Sequence, residues 1–122
     1  MGDQFLAKIY KVIEDNLENE NFTVEELANH IGLSRSMLHR KLVRMTKKSA
    51  SDLITELRLT RAMELLKNDA ATASEIAYQV GFSSPSYFNK VFKNYFQISP
   101  GEVRKGASYL PSSTAKALSS IL

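Results

Sequence analysis

The chain lacks several features whose absence excludes whole classes of protein. Its 122 residues contain no cysteine, so disulfide frameworks, thiolate zinc sites and thiol nucleophiles are excluded. No apolar run approaches the roughly 18 residues that a membrane span needs, and no signal-peptide pattern opens the chain. We therefore expect a cytoplasmic chain that makes no membrane contact, with any inner-membrane anchor lying elsewhere in a longer protein.

The sequence also lacks the residue groupings that catalysis or metal binding requires. Neither His30 nor His39 has the carboxylate or cysteine neighbours that such a site would need. No nucleophile–base pair and no phosphate-binding loop occurs. We predict no catalytic residue, no metal ligand and no cofactor, and conclude that this chain is not an enzyme.

Acidic residues are missing from two long stretches, although the net charge is only +3. Neither residues 27–51 nor residues 76–101 contain an acid. The second stretch contains Lys90 and Lys93, whereas the first contains six cations: Arg35, Arg40, Lys41, Arg44, Lys47 and Lys48. A surface that faces nucleic-acid phosphates must exclude like charges. One such stretch is explained equally well by a solvated face, but two in matching positions favour a phosphate-facing surface.

What the chain does contain is one pattern that occurs twice, about fifty positions apart. Residues 23–45 and 72–96 both run Thr-x-x-Glu, an aliphatic residue and Ala, then Gly four positions later and a hydroxyl-rich start to a second helix. Each copy predicts a helix, a tight turn and a second helix. A repeated helix-turn-helix on a basic chain predicts binding to double-stranded DNA.

No segment alternates with period two for long enough to form a strand, so we predict an all-α fold of about seven helices. An amphipathic helix over residues 4–17 follows a cap at Asp3. Four pairs give helix-start signals, which are Thr23 with Glu26, Ser49 with Asp52, Thr72 with Glu75, and Ser99 with Glu102. Ser34 and Ser84 are predicted caps of the second helix in each repeat.

A long helix over residues 50–67 is predicted to join the two helix-turn-helix subdomains. It would be about 27 Å long. With the width of the flanking helices added, this is close to the ~34 Å between successive major grooves on one face of DNA. A core helix of a single bundle is the alternative interpretation. Residues 1–105 form the predicted DNA-binding domain, and the Ser/Ala-rich residues 106–122 form a predicted flexible tail, with a short amphipathic helix that docks on the domain as the alternative.

The second helix of a helix-turn-helix contacts base edges through residues near its start. The residues predicted to contact bases are Arg35, Ser36, His39, Arg40, Ser86, Asn89 and Lys90. Arg40 suits guanine and Asn89 suits adenine. The residues predicted to contact phosphate are Lys41, Arg44, Lys47, Lys48, Tyr87 and Lys93. For Tyr87, a place at the core edge and a contact with a thymine methyl group remain alternatives.

From about Phe5 to Lys105 the chain resembles the AraC/XylS-type DNA-binding domain. The resemblance rests on residues 25–41 (EELANHIGLSRSMLHRK), 54–66 (ITELRLTRAMELL), 75–96 (EIAYQVGFSSPSYFNKVFKNYF) and 98–105 (ISPGEVRK). It implies two helix-turn-helix subdomains, a structural role for Arg58, and base contacts by the residues predicted above other than Arg35. The chain departs from the family pattern at Lys48 and Gln97, where glycine is usual, at Ala50 and at Val103.

The resemblance further implies a sequence-specific transcription regulator, an activator that contacts RNA polymerase. The motif sequences are most similar to those of output domains of bacterial hybrid two-component systems. Histidine kinase activity and a homodimer interface would therefore lie in upstream domains outside this chain. Two alternatives remain: a non-specific architectural nucleic-acid binder and a helical protein-interaction module. The small, polar and basic exposed faces of both second helices speak against the interaction module.

Overall fold

The computed structural model describes residues 2–69 and 71–106, with side chains from Gln4 onward. These residues form seven α-helices and no strand, which confirms the predicted all-α fold. The helices are α1 (Gly2–Asp15), α2 (Val24–Ile31), α3 (Arg35–Thr46), α4 (Ala50–Lys67), α5 (Ala73–Gln79), α6 (Pro85–Phe96) and α7 (Pro100–Lys105). Apart from Gly106, the predicted tail lies outside the described residues.

The chain divides into two compact units, Met1–Leu57 and Arg58–Leu122. The boundary falls inside α4, so this one helix supplies core residues to both units. The predicted bounds of the long helix, residues 50–67, are confirmed to the residue. Each unit contains one copy of the repeated helix-turn-helix.

The core of the first unit is aliphatic. The apolar stripe of α1 buries Ile9 and Ile13, and the inner face of α3 buries Leu38 and Leu42. The start of α4 closes the core with Ala50, Leu53 and Ile54. Because α3 packs with these two leucines inward, its opposite face is left for solvent or a ligand.

The core of the second unit contains a row of phenylalanines. Phe88, Phe92 and Phe96 follow one another at four-residue spacing along α6 and are fully buried. Successive ring centroids are 5.5 and 4.7 Å apart, in tilted arrangements. Such pairs contribute about 0.5–1.5 kcal/mol each beyond their burial, and they fix the rotation of α6 about its axis.

The predicted helix starts are largely confirmed. Ser34 and Ser84 accept hydrogen bonds from the N–H groups of Met37 and Tyr87, each over 3.2 Å. Reciprocal capping boxes, in which the Glu side chain also accepts from the cap N–H, form at the starts of α5 (Thr72 with Glu75) and α7 (Ser99 with Glu102). At α2 the structure shows one bond of the box, from the Glu26 N–H to Thr23 Oγ1 at 3.1 Å.

Two details of the prediction are wrong. The first helix begins at Gly2 and ends at Asp15, so Asp3 lies inside it instead of capping it. The left-handed residue after α3 is Lys47, with φ of 64°, and its counterpart after α6 is Gln97, with φ of 63°. The departure from the family glycine that was placed at Lys48 therefore falls at Lys47, which takes the left-handed position directly after α3 ends at Thr46.

Candidate nucleic-acid interface

The turns between the two helices of each repeat share a left-handed glycine and one hydrogen bond, although the second turn is one residue longer before its serine cap. Gly32 and Gly81 adopt positive φ values of 82° and 92°, which glycine tolerates without strain. The next residue donates its N–H to an alanine carbonyl five positions back, from Leu33 to Ala28 at 3.0 Å and from Phe82 to Ala77 at 2.9 Å. The second helix then starts at a serine cap in each case.

The exposed face of α3 brings together the four residues predicted to contact bases in the first unit. Arg35, Ser36, His39 and Arg40 are all exposed. They line one open hollow of about 500 Å³, together with Val24 and residues 49–51 from the starts of α2 and α4. Sequence reasoning missed these last contributors, because only the folded turn after α3 brings residues 49–51 beside its first turns.

On α6, the three residues predicted to contact bases, Ser86, Asn89 and Lys90, are likewise exposed. They lie opposite the buried Phe88 and Phe92. Tyr87 is 57% exposed, and its ring centroid lies 6.0 Å from that of Phe82. The tyrosine therefore borders the core on one side and presents half of its surface to solvent.

Met37 is an exposed apolar residue that sequence reasoning missed. It is 51% exposed on the third position of α3, and Tyr87 occupies the third position of α6. The two positions are fifty residues apart, the same offset that relates the caps Ser34 and Ser84. Because Tyr87 belongs to the predicted site, applying that offset to it would have added Met37 to the predicted site as well.

The predicted phosphate contacts differ in their surroundings. Arg44, Lys47 and Lys93 are exposed. Lys41 is half-buried, with its ammonium 4.1 Å from the centroid of the Phe5 ring on α1. This cation–π contact orients the ammonium on the surface, and Lys41 lines a shallow hollow with Arg40 and Arg44.

Lys48 is separate from the other predicted phosphate contacts. Its Nζ lies 2.7 and 2.8 Å from the two carboxylate oxygens of Glu56, whose side chain is only 10% exposed. In the repeat, Lys48 corresponds to Ile98, a core residue of the second unit. The Lys48 side chain is still 45% exposed, so its phosphate contact stays a prediction, but we leave it out of the proposed contacts because its ammonium already contacts Glu56.

Arg58 is half-buried in the middle of α4. Burial lowers the pKa of its guanidinium below the ordinary value, although an arginine stays protonated at neutral pH. Elsewhere in the described residues, no group of three or more His, Cys, Asp or Glu side chains has a metal-binding arrangement. No described helix is both long and apolar enough to cross a membrane.

Two units that each present an exposed second helix after a glycine turn define the class of tandem helix-turn-helix proteins. The family model described as "Helix-turn-helix domain" matches residues 27–106. The chain belongs to this family of helix-turn-helix domains, of the AraC/XylS type.

Three similar proteins illustrate the assignment. The chain is 40% identical over 102 residues to "Histidine kinase P4" of Formosa agariphila, covering 84% of this chain and 7% of that protein. It is 33% identical over 94 residues to the "HTH-type transcriptional activator RhaS" of Escherichia coli, covering 77% and 34%. The crystal structure of the DNA-binding domain of AdpA with a target DNA has a TM-score of 0.75 at 26% identity, covering 82% and 89%. The chain thus spans only part of both full-length relatives.

Proposed function

We propose that the chain is the sequence-specific DNA-binding domain of a bacterial transcription regulator, in which α3 and α6 each contact a segment of major groove. The observation that carries the proposal is the matched pair of exposed, acid-free helices. Each begins at a serine cap that follows a left-handed glycine, and presents Ser, then His or Asn, then Arg or Lys at the same three positions. These side chains suit base edges and phosphates. The similar AdpA domain binds a target DNA, which supports the same partner here.

The residues proposed to contact bases are Arg35, Ser36, His39 and Arg40 on α3, and Ser86, Asn89 and Lys90 on α6. Phosphate contacts are assigned to Lys41, Arg44, Lys47, Tyr87 and Lys93. Arg40 is the strongest candidate for a guanine, because a guanidinium donates two parallel hydrogen bonds to O6 and N7.

We further propose that the regulator is an activator that contacts RNA polymerase and serves as the output domain of a hybrid two-component system in the cytoplasm. The similarity to the activator RhaS supports a role in activation. The similarity to part of a histidine kinase supports the role of output domain in a two-component system, since kinase activity would belong to other domains. Dimer formation is likewise proposed for those domains.

Selection of bound duplexes from a random DNA pool at fixed, near-physiological salt tests the proposed function. A motif of two short boxes about one helical turn apart is the expected result. A non-specific architectural binder would enrich no motif, and its affinity would fall towards zero as salt rises. A protein-interaction module would retain no duplex at any salt concentration.

A further inference from the structure

The offset of fifty residues allows the two proposed recognition helices to be compared position by position, from each serine cap to the left-handed residue that ends the helix. One position, Arg40 and Lys90, is cationic in both. Lys93 is the single cation of α6 whose counterpart, Val43, is uncharged. Four cations of the first unit have uncharged counterparts in the second, namely Arg35 with Pro85, Lys41 with Val91, Arg44 with Asn94, and Lys47 with Gln97.

The cations of α3, together with Lys47 at its end, are available to an external anion. Arg35, Arg40, Arg44 and Lys47 are exposed, and none of the four forms an ion pair with an acid among the described residues. The acids nearest in sequence are Glu26 and Asp52, outside the helix at either end. Lys41 makes its cation–π contact with Phe5, which leaves its N–H groups free to donate outward.

The α6 helix has fewer cations to offer than α3. Besides Lys90, it contributes only Lys93, which lies near enough to Glu102 to affect the pKa of that carboxyl. Hydrogen bonds from the side chain and backbone of Ser99 are the main cause of the lowered Glu102 pKa, and Lys93 lowers it further. The remaining exposed groups of α6, Ser86, Tyr87 and Asn89, are neutral donors and acceptors.

Charged and neutral groups contribute differently to DNA binding. Each cation that neutralises a phosphate raises affinity for every sequence and steepens the salt dependence. Neutral side chains at base edges discriminate between sequences but release no counterions.

We infer that the two proposed recognition helices divide the work of DNA binding: α3, with Lys47 at its end, provides most of their phosphate attraction, and α6 provides base discrimination with little charge. The inference rests on the proposed function. It predicts that the charge of α3 contributes more to affinity for any duplex than the charge of α6.

The test measures the slope of log affinity against log salt concentration on a scrambled duplex, by fluorescence anisotropy. Arg44→Asn with Lys47→Gln gives the first unit the residues of the second, and should reduce the slope by about 1.8, at 0.9 per phosphate contact. Its loss of affinity between 50 and 200 mM salt should then be about tenfold smaller than that of the wild type. The counterpart Lys90→Gln with Lys93→Gln should reduce the slope by about 0.9 or less.

Lys8→Gln with Lys11→Gln is the matched control. It removes the same charge from exposed positions of α1 in the first unit, of which Lys11 pairs with Asp15 at 3.2 Å, and should leave the slope almost unchanged. Asn94→Arg with Gln97→Lys should increase the slope. Circular dichroism melting establishes that each variant is folded.

Base discrimination is tested with Asn89→Ala on a duplex obtained by selection and on its scrambled version. The expected result is about tenfold weaker binding to the selected duplex, with unchanged binding to the scrambled one and an unchanged slope. The inference is overturned if the second-unit variant reduces the slope as much as the first-unit variant, or if Asn89→Ala weakens both duplexes equally. Failure to select any motif would instead reject the proposed function, while the slopes on the scrambled duplex would still measure the division of charge.

Discussion

Lys47 and Lys48 are neighbours in the chain, but their charges have different surroundings. Lys47 is exposed at the left-handed end of α3, whereas the Lys48 ammonium contacts the nearly buried carboxylate of Glu56. Removing one partner of such a pair takes hydrogen bonds away from the nearly buried charge that remains. Substitution of Lys48 should therefore affect stability, and substitution of Lys47 should affect DNA binding.

Lys48→Ala is expected to lower the free energy of unfolding by about 1–3 kcal/mol and to leave the salt slope of DNA binding unchanged. Lys47→Ala is expected to leave the free energy of unfolding unchanged and to reduce the salt slope, since it removes only an exposed charge. Urea denaturation and anisotropy titrations measure the two effects. A lower salt slope for Lys48→Ala would mean that Lys48 leaves Glu56 to contact phosphate, and would return it to the interface.

Arg40 offers a residue-level test of base contact. If its guanidinium contacts one guanine, Arg40→Ala should relax base choice at a single position and cost about 1–3 kcal/mol on the preferred duplex. Duplexes substituted one base pair at a time provide the measurement. Equal loss on every duplex, the pattern expected for Lys47→Ala, would move Arg40 to the phosphate-contacting set.

Sequence patterns predicted individual residues best where packing decided their position. The four-residue spacing of Leu38, Leu42, Phe88 and Phe92 placed them in the core, and all four are fully buried. The same spacing left the opposite faces for the candidate site. Lys48 could not be placed in this way, because its partner Glu56 lies eight residues further along and is brought close only by the turn between α3 and α4.

At the scale of the helix, the capping box of α5 makes stability depend on pH. Hydrogen bonds from the side chain and backbone of Thr72 lower the pKa of Glu75, and Arg104 adds to the shift. A carboxyl group whose folded pKa is lowered stabilises the folded state above its unfolded pKa, and this stabilisation is lost as pH falls through the folded pKa.

Glu75→Gln should therefore reduce stability at neutral pH, and the difference from the wild type should shrink as pH falls below about 4. Melting temperatures from pH 7 to pH 2 provide the measurement. Glu14→Gln, a change to an exposed glutamate within α1 that forms no ion pair among the described residues, is the control for the general effect of removing a charge. A difference that stays constant across this range would show that the ionised carboxylate does not stabilise the helix start.

The end of α6 offers a second test at the scale of the helix. Gln97 has φ of 63°, a conformation that costs a residue with a Cβ roughly 1–2 kcal/mol. Gln97→Gly should remove this strain and, after the greater entropy of unfolded glycine is subtracted, stabilise the protein by about 0.5–1 kcal/mol. Gln97→Ala keeps the Cβ and should not stabilise. Chemical denaturation of the three proteins measures this, and equal stability of the glycine and alanine variants would exclude the strain.

Helix starts were more predictable than helix ends. A start requires a side chain that accepts a backbone N–H, so Ser34, Ser84 and Ser99 identify theirs. An end requires only a left-handed residue, and Lys47 carries no sequence signal for that conformation. The first predicted segment, residues 4–17, likewise extended two residues beyond the observed end at Asp15.

At the scale of the whole molecule, the sequence predicted one domain with two subdomains, and the structure contains two compact units with separate cores. Units of 50–60 residues are only marginally stable alone. Each core is therefore sensitive to a single large truncation, and damage to one core should affect one proposed half of the DNA interface more than the other.

Phe92→Ala removes a fully buried ring that contacts Phe88 and Phe96, and should cost the second unit about 3–5 kcal/mol. Leu42→Ala removes a fully buried side chain of the first unit, at about 2–5 kcal/mol. We expect Phe92→Ala to abolish discrimination at one box while keeping most of the salt-dependent binding. Leu42→Ala should lose most binding to every duplex.

Hydrogen exchange of each variant, measured beside its DNA affinity, determines which unit has opened. Exchange is expected to accelerate in α5 and α6 for Phe92→Ala, and in α2 and α3 for Leu42→Ala. If either substitution accelerated exchange equally in both units and removed all binding, the units would unfold as one. The separate cores would then share a single cooperative transition, and the division of charge between α3 and α6 could be tested only with the surface substitutions.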